Sequence, residues 1–224
     1  MKLFATFMWR RYFRIYIYTT NVDNWVMQNA PKQSRSKLRI QTIIETAEKI
    51  LLEEGIDNIT IAHISKLSGL KRTSTYKFFP TPKSLKSEMS NIYIRECIKD
   101  FKSKSDNIKT NNLSVIVLRC VGILYDYFDN NLKAQKLILS NEFGPSIEAD
   151  KFNELSIAIQ SFVDMNIKLP EMFNKDGVYR VFTQIIISIF ALNLKENGSV
   201  DEVGKIEAHR AGHAYLLDWV NQGS

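Results

Sequence analysis

The chain has 224 residues, is 45% hydrophobic and contains only 9 Gly and 5 Pro, so it is long enough for a small unit plus a larger one and reads poorly as an all-β fold. Its formal net charge of +6 is uneven: residues 1–33 carry five Lys/Arg and one Asp, residues 34–104 fourteen against eight acids, and residues 105–224 eleven against fifteen. A basic front and an acidic back point to a polyanion-binding unit ahead of an ordinary globular domain.

Residues 1–33 open with MKLFATFMWRRYFRIYIYTT, which is aromatic and basic. Arg10, Arg11 and Arg14 interrupt its apolar part, which excludes a signal peptide core and a membrane span of ~20 apolar residues. Two readings stand for this extension. It is either a disordered or mis-assigned start, with translation beginning at Met27, or a basic amphipathic anchor over residues 1–18 lying on a membrane surface. Ser34–Arg39 (SRSKLR) follows as a basic arm, with Arg35 and Lys37 as candidate phosphate contacts. The stripe Ile40, Ile43, Ile44, Ala47, Ile50 and Leu51 predicts a helix over Ile40–Glu54, closed by Gly55.

The most informative stretch is Thr60–Leu85, TIAHISKLSGLKRTSTYKFFPTPKSL. Ile61, Ile64 and Leu67 recur at helical spacing, Thr60 is placed to cap that helix, and Gly69 falls where a left-handed terminus is required. A second short helix carries Lys71, Arg72, Thr73, Ser74, Thr75, Tyr76 and Lys77, anchored by Phe78 and Phe79, with Thr75 assigned to packing. Pro80 stops it; Thr81 caps the next helix and Pro82 opens it. No Asp or Glu occurs from Asn58 to Ser87, whereas Lys66, Lys71, Arg72, Lys77, Lys83 and Lys86 all do. This is a helix-turn-helix pattern with a basic second helix suited to the major groove of double-stranded DNA. Lys71, Arg72, Thr73 and Ser74 are the base-reading candidates. Thr60, Tyr76, Lys77 and Lys83 are the phosphate candidates, Tyr76 having a core aromatic as its alternative role.

From about Ile40 to Leu85 the chain resembles the TetR-type transcriptional regulators. LLEEGIDNITI (Leu51–Ile61), IAHISKLSGL (Ile61–Leu70) and TYKFFPTPKSL (Thr75–Leu85) carry the resemblance. Thr73 departs from the Gly common at its position. Pro82 replaces the Lys that usually opens the fourth helix, with Lys83 one position later. The resemblance implies an all-α fold in which residues 34–84 form the DNA-binding unit and residues 85–224 a helical regulatory and dimerisation domain. It also implies a ligand-responsive regulator, most often a repressor, that binds a palindromic operator as a homodimer. It further implies an effector pocket between the middle helices.

The remaining periodicity is helical throughout. Ser84–Ser103 predicts a long connecting helix and Ser103–Asn112 a loop. Leu113–Phe128, Leu132–Phe143, Ser146–Leu169, Val178–Leu194 and Val200–Val220 predict five more helices, with Pro170 ending the third of these. Tyr93, Phe101, Cys120, Leu124, Tyr125, Phe128, Phe143 and Phe162 are candidates either to line a pocket or to be plain core. Val178–Leu194 has one charge, Arg180, and must be buried. With the final helix it predicts a two-fold seam containing Phe182, Ile185, Ile186, Ile189, Phe190, His213, Leu216, Leu217 and Val220, burial inside one subunit being the alternative.

No metal site is expected: His209 and His213 have ligand spacing but no third ligand in register, and His63 stands alone. Cys97 and Cys120 read as reduced thiols of a cytoplasmic protein. No nucleophile–base pair, catalytic carboxylate pair or glycine-rich phosphate loop suggests an enzyme, and no cofactor is expected beyond an unidentified small-molecule effector.

Overall fold

The computed structural model describes residues 32–105, 110–140 and 149–222. The extension at residues 1–31 and Phe143 lie outside them, as do the helix boundaries expected there. Among the described residues every regular element is helical: α1 (Lys32–Glu53), a short 3-10 turn (Ile56–Asn58), α2 (Ile61–Ser68), α3 (Arg72–Phe78), α4 (Pro82–Lys104), α5 (Leu113–Asp129), α6 (Leu132–Ala134) running into a π turn (Gln135–Leu139), α7 (Ala149–Asn166), α8 (Lys175–Asn197) and α9 (Glu202–Gln222). The all-α expectation holds.

The first helix starts earlier than the sequence reading has it. Ser34–Arg39 is not an arm but the opening turns of α1. Its Arg, Lys and Leu are good helix formers, and no Gly or Pro falls between Pro31 and Gly55 to stop them. Beyond it the local signals act as read. The Thr60 hydroxyl accepts the His63 amide at 3.2 Å, and Gly69 takes the left-handed conformation (φ 69°) that turns α2 into α3. Thr81 and Ser84 cap α4 reciprocally, with Pro82 at its first position. Leu67 departs from its expected role: it is 42% exposed, so Ile61 and Ile64 alone anchor α2.

One hydrophobic core runs from Ile43 of α1 to Leu216 of α9. α8 packs between α7 and α9, α9 also lies on α5, and α4 crosses from the front unit onto α5 and α7. Close approach of α9 to α8 depends on Gly212, where an added Cβ would come within 2.8 Å of the Phe182 ring. α8 has the length and apolar character of a membrane-crossing helix, with mean hydropathy 1.5, yet its Phe182, Ile186 and Phe190 are fully buried within the chain. It is not apolar-buried all round: Val181 and Leu192 are 46% and 55% exposed.

Two other boundaries differ. The helix expected over Leu132–Phe143 is one α turn followed by the π turn, which ends at Leu139. The helix stopped by Pro170 already ends at Asn166, consistent with the steric restriction that proline imposes on the residue before it.

Candidate nucleic-acid interface

Helix α3 is pinned through a buried Thr75 and a Phe78 packed against the core, and presents its basic face outward. Thr75 is fully buried and accepts a hydrogen bond from Ser65 of α2 at 3.1 Å, which pins the two helices together. Lys71, Arg72, Thr73, Tyr76 and Lys77 are exposed. Arg72 lies over the Tyr76 ring, 5.4 Å from its centroid, and donates to the Tyr76 hydroxyl at 3.2 Å. Such an exposed cation–π contact contributes ~0.5–1 kcal/mol, enough to bias the guanidinium toward one direction without locking it. Tyr76 is therefore a surface residue at 39% exposure, and the core alternative for it falls.

Ser74 is only partly exposed and turns sideways. With Lys77 and Phe78 it lines a groove of about 310 Å³ against Arg35, Ser36 and Arg39 of α1. Arg35, Arg39 and Lys77 have no ion-pair partner among the described residues, and the Arg35 Nε is buried without an acceptor. Three cations around one concavity repel each other unless an anion sits between them. Arg39 is a residue the sequence reading passed over. Its signal was the four-residue spacing from Arg35, which becomes a shared face once residues 34–39 are helical. Lys37 is exposed but does not line this groove.

Thr60 uses its oxygen as the α2 cap and keeps its O–H hydrogen free to donate. Lys83 is exposed on the first turn of α4, beside amides that helix geometry aims outward. His63 has a structural role: its Nε2 meets Glu54 at 3.0 Å and ties the end of α1 to α2.

In the helical body the candidate pocket residues are packed against one another. Phe101, Cys120, Leu124, Phe128 and Phe162 are essentially fully buried, with edge-to-face pairs at 5.9 Å for Phe101–Phe162 and 6.2 Å for Phe128–Phe190. Tyr125 lies instead beneath Lys205 of α9, which sits 4.7 Å from its ring centroid. Tyr93 points its hydroxyl to Glu48 of α1 at 2.7 Å, so it faces the front unit. Sequence reasoning missed Tyr179, whose fully buried hydroxyl has no partner. Burial pushes its proton loss far above the usual tyrosine range, leaving a neutral donor inside the body. Buried cysteines behave similarly: burial raises Cys97 and Cys120 well above ordinary thiols.

Of the candidate dimer residues, Phe182, Ile186, Phe190 and Leu216 face the subunit's own core and cannot touch a partner. Ile185, Ile189, His213 and Val220 are partly exposed and Leu217 is 38% exposed. His213 stacks on His209 at 6.0 Å, and His209 Nε2 lies 3.1 Å from both the hydroxyl and the carbonyl oxygen of Ser114. That carbonyl can only accept, so Nε2 carries the proton and the pair fastens α9 to α5. Among the described residues no cluster of three or more metal-ligating side chains occurs.

This helix order is the fold of the TetR-family transcriptional regulators. A TetR-family regulator from Streptomyces coelicolor superposes with a TM-score of 0.62 at 14% identity, over 82% of this chain and 98% of that one. SmeT, the repressor of the Stenotrophomonas maltophilia multidrug efflux pump SmeDEF, gives 0.56 at 13% identity, over 81% of this chain and 90% of SmeT. In sequence, the chain is 22% identical over 162 residues to YuxN, an uncharacterized HTH-type transcriptional regulator of Bacillus subtilis (strain 168). That similarity takes in 67% of this chain and 56% of the relative, so the chain spans little more than half of YuxN. No family model matches the sequence.

Proposed function

We propose that the protein is a DNA-binding transcription regulator, a homodimeric, effector-responsive repressor of a palindromic operator. The observation that carries this is the outer face of α3: Lys71, Arg72, Thr73, Tyr76 and Lys77 exposed beside a buried Thr75 pin, in a stretch without a single acid. Residues 34–84 form the DNA-binding unit and residues 85–224 the regulatory body. Lys71, Arg72 and Thr73 read base edges. Lys77, Arg35 and Arg39 seat a backbone phosphate in the groove between α1 and α3, with Thr60, Tyr76 and Lys83 holding phosphates beside it. Lys37 and Ser74 lie at the margin of this surface. The similarity to a named repressor, SmeT, supports repression.

For the dimer, the supporting feature is an exposed apolar stripe on each of the last two helices. At about 3.6 residues per turn, Val181, Ile185 and Leu192 share one face of α8, and Val203, Ile206 and Leu217 share one face of α9. Two such stripes from each copy make a four-helix seam, and exposed apolar patches of this kind mark protein interfaces. The interface thus shifts outward from the residues the sequence suggested, keeping Ile185, Ile189, His213, Leu217 and Val220. The effector is a small, largely apolar molecule entering among the aromatic side chains of the body, with the orphan Tyr179 hydroxyl as its polar anchor. A cytoplasmic location goes with this reading, without membrane attachment.

Selection of bound DNA from a randomised pool at near-physiological salt tests the reading. A palindromic consensus is the expected result. Salt-sensitive binding without any consensus would reduce the front to an electrostatic patch on a helical small-molecule-binding protein.

A further inference from the structure

Helix α1 belongs to the front unit, yet the carboxylate of Glu48 near its C-terminal end faces the body. One oxygen accepts the Tyr93 hydroxyl of α4 at 2.7 Å, and the other takes the Lys133 ammonium of α6. Glu48 is 19% exposed and Lys133 38%, so the pair is sheltered but not sealed. Burial and the Glu48 charge hold the Tyr93 proton in place, which keeps it a donor. The network continues inward. Tyr127 of α5 donates to the Tyr93 carbonyl at 2.7 Å, and Asn131, the cap of α6, lies 3.4 Å from the Tyr127 hydroxyl. One turn further along, Lys136 reaches the carbonyl of Leu52 near the end of α1 at 3.2 Å.

Three helices thus meet at one carboxylate, with α5 joined to them through Tyr93, and the two lysines that grip α1 flank the start of the π turn. π geometry is uncommon and recurs at functional positions. Here it is anchored by Gln135, whose amide nitrogen donates to the Phe128 carbonyl at 2.8 Å while its oxygen is buried without a partner. The grip is therefore mounted on the least regular helical piece of the body.

We infer that Glu48 is the positioning residue of this junction: with Tyr93 and Lys133 it fixes the angle at which the front unit leaves the body, and thereby sets which half-site spacing the dimer accepts. The inference rests on the operator-binding reading above. In a dimer joined through α8 and α9, a small rotation of the front unit is carried to the recognition helix at the far end, so spacing is the property most sensitive to the junction. None of the three residues lines the α1–α3 groove or lies on α3, so their loss leaves the contacts to a single half-site untouched.

The test is competition binding of the full chain to duplexes carrying the selected half-sites at the selected spacing and at one and two base pairs more or less, with a single half-site duplex alongside. Wild-type protein should favour one spacing by about tenfold, a difference of ~1.4 kcal/mol. Glu48→Gln, Lys133→Gln and Tyr93→Phe should each flatten that preference to roughly threefold or less, while single half-site affinity and its salt dependence stay unchanged. If Glu48→Gln lowers thermal stability too far, the more exposed Lys133→Gln carries the test. Retained spacing preference in Lys133→Gln and Tyr93→Phe would overturn the inference, even with a lowered melting temperature, because the junction would then be only structural. Wild-type protein that selects no palindrome would overturn the operator-binding reading itself, and the inference with it.

Discussion

The front unit and the helical body treat charge in opposite ways. In α2, α3 and the start of α4, Lys66, Lys71, Lys77, Lys83 and Lys86 form no ion pair among the described residues, and Arg72 rests only on a tyrosine. In the body several cations are answered: Lys104 by Asp100, Lys151 by Glu154, Lys175 by Asp164, Lys205 by Glu202 and Arg210 by Glu207. Exposed pairs of this kind stabilise little, ~0–1 kcal/mol each, so the contrast is not about stability. Pairing and the acids of the body offset part of its positive charge, whereas the front, without an acid from Asn58 to Ser87, leaves its field open. Stability comes from elsewhere: side chains from α4, α5, α7, α8 and α9 interlock in the body, while Ile43, Ala47, Ile50, Leu51, Ile61 and Ile64 form the core of the small front unit.

The contrast breaks most severely at Phe182. Truncation to Ala opens a cavity between α8 and α9 and should destabilise the chain by ~3–5 kcal/mol, read by chemical denaturation. Its neighbour Val181 faces outward. Val181→Asp should leave helix content intact and shift the protein toward monomer in sedimentation. A dimer that survives Val181→Asp together with Ile206→Asp would move the seam off this face.

Next in size are the unpaired cations. Arg72→Ala should lose ~1–3 kcal/mol at the selected operator, roughly 5- to 150-fold in affinity, and relax preference at one base position. Lys77→Ala should weaken all sequences alike and lower the log–log salt slope by about 1. Parallel losses on every sequence for both variants would mean that α3 reads no bases.

The division also governs how much was legible in the sequence. Thr60, Gly69, Thr81 and Pro82 act on their own neighbours within a few residues, so the helix-turn-helix could be placed from local chemistry alone. The start of α1 is less legible, because a basic run such as Ser34–Arg39 reads as an arm although its residues favour helix. In the body the deciding contacts join residues far apart in the chain, such as Tyr127 to Tyr93 and His209 to Ser114. Periodicity predicts that α8 buries a face, but not which neighbour covers it. Phe182, Ile186 and Phe190 therefore read equally well as seam or core, and Glu48 carried no local signal for its role at all.

A smaller effect sharpens the contrast at the helix caps. The front caps α2 and α4 with the neutral hydroxyls of Thr60 and Thr81, keeping negative charge away from its basic surface. The body starts α9 with Asp201, whose carboxylate accepts the Gly204 amide at 3.1 Å, the Asn193 side chain at 2.9 Å and the Val203 amide at 2.9 Å. These bonds, the Gly204 amide foremost, hold its proton loss below the ordinary value of 3.8. A carboxyl whose folded value is depressed contributes stability above its unfolded value and loses it as pH falls through the folded one. Asp201→Ala should therefore lower the melting temperature at neutral pH, with the deficit shrinking once pH drops below that ordinary value. Thr60→Ala should cost ~1 kcal/mol with no such dependence, since a hydroxyl has no charge to lose. Paired melting curves across the acid range read both, and a pH-independent deficit for Asp201→Ala would show that its cap acts through geometry and not through charge.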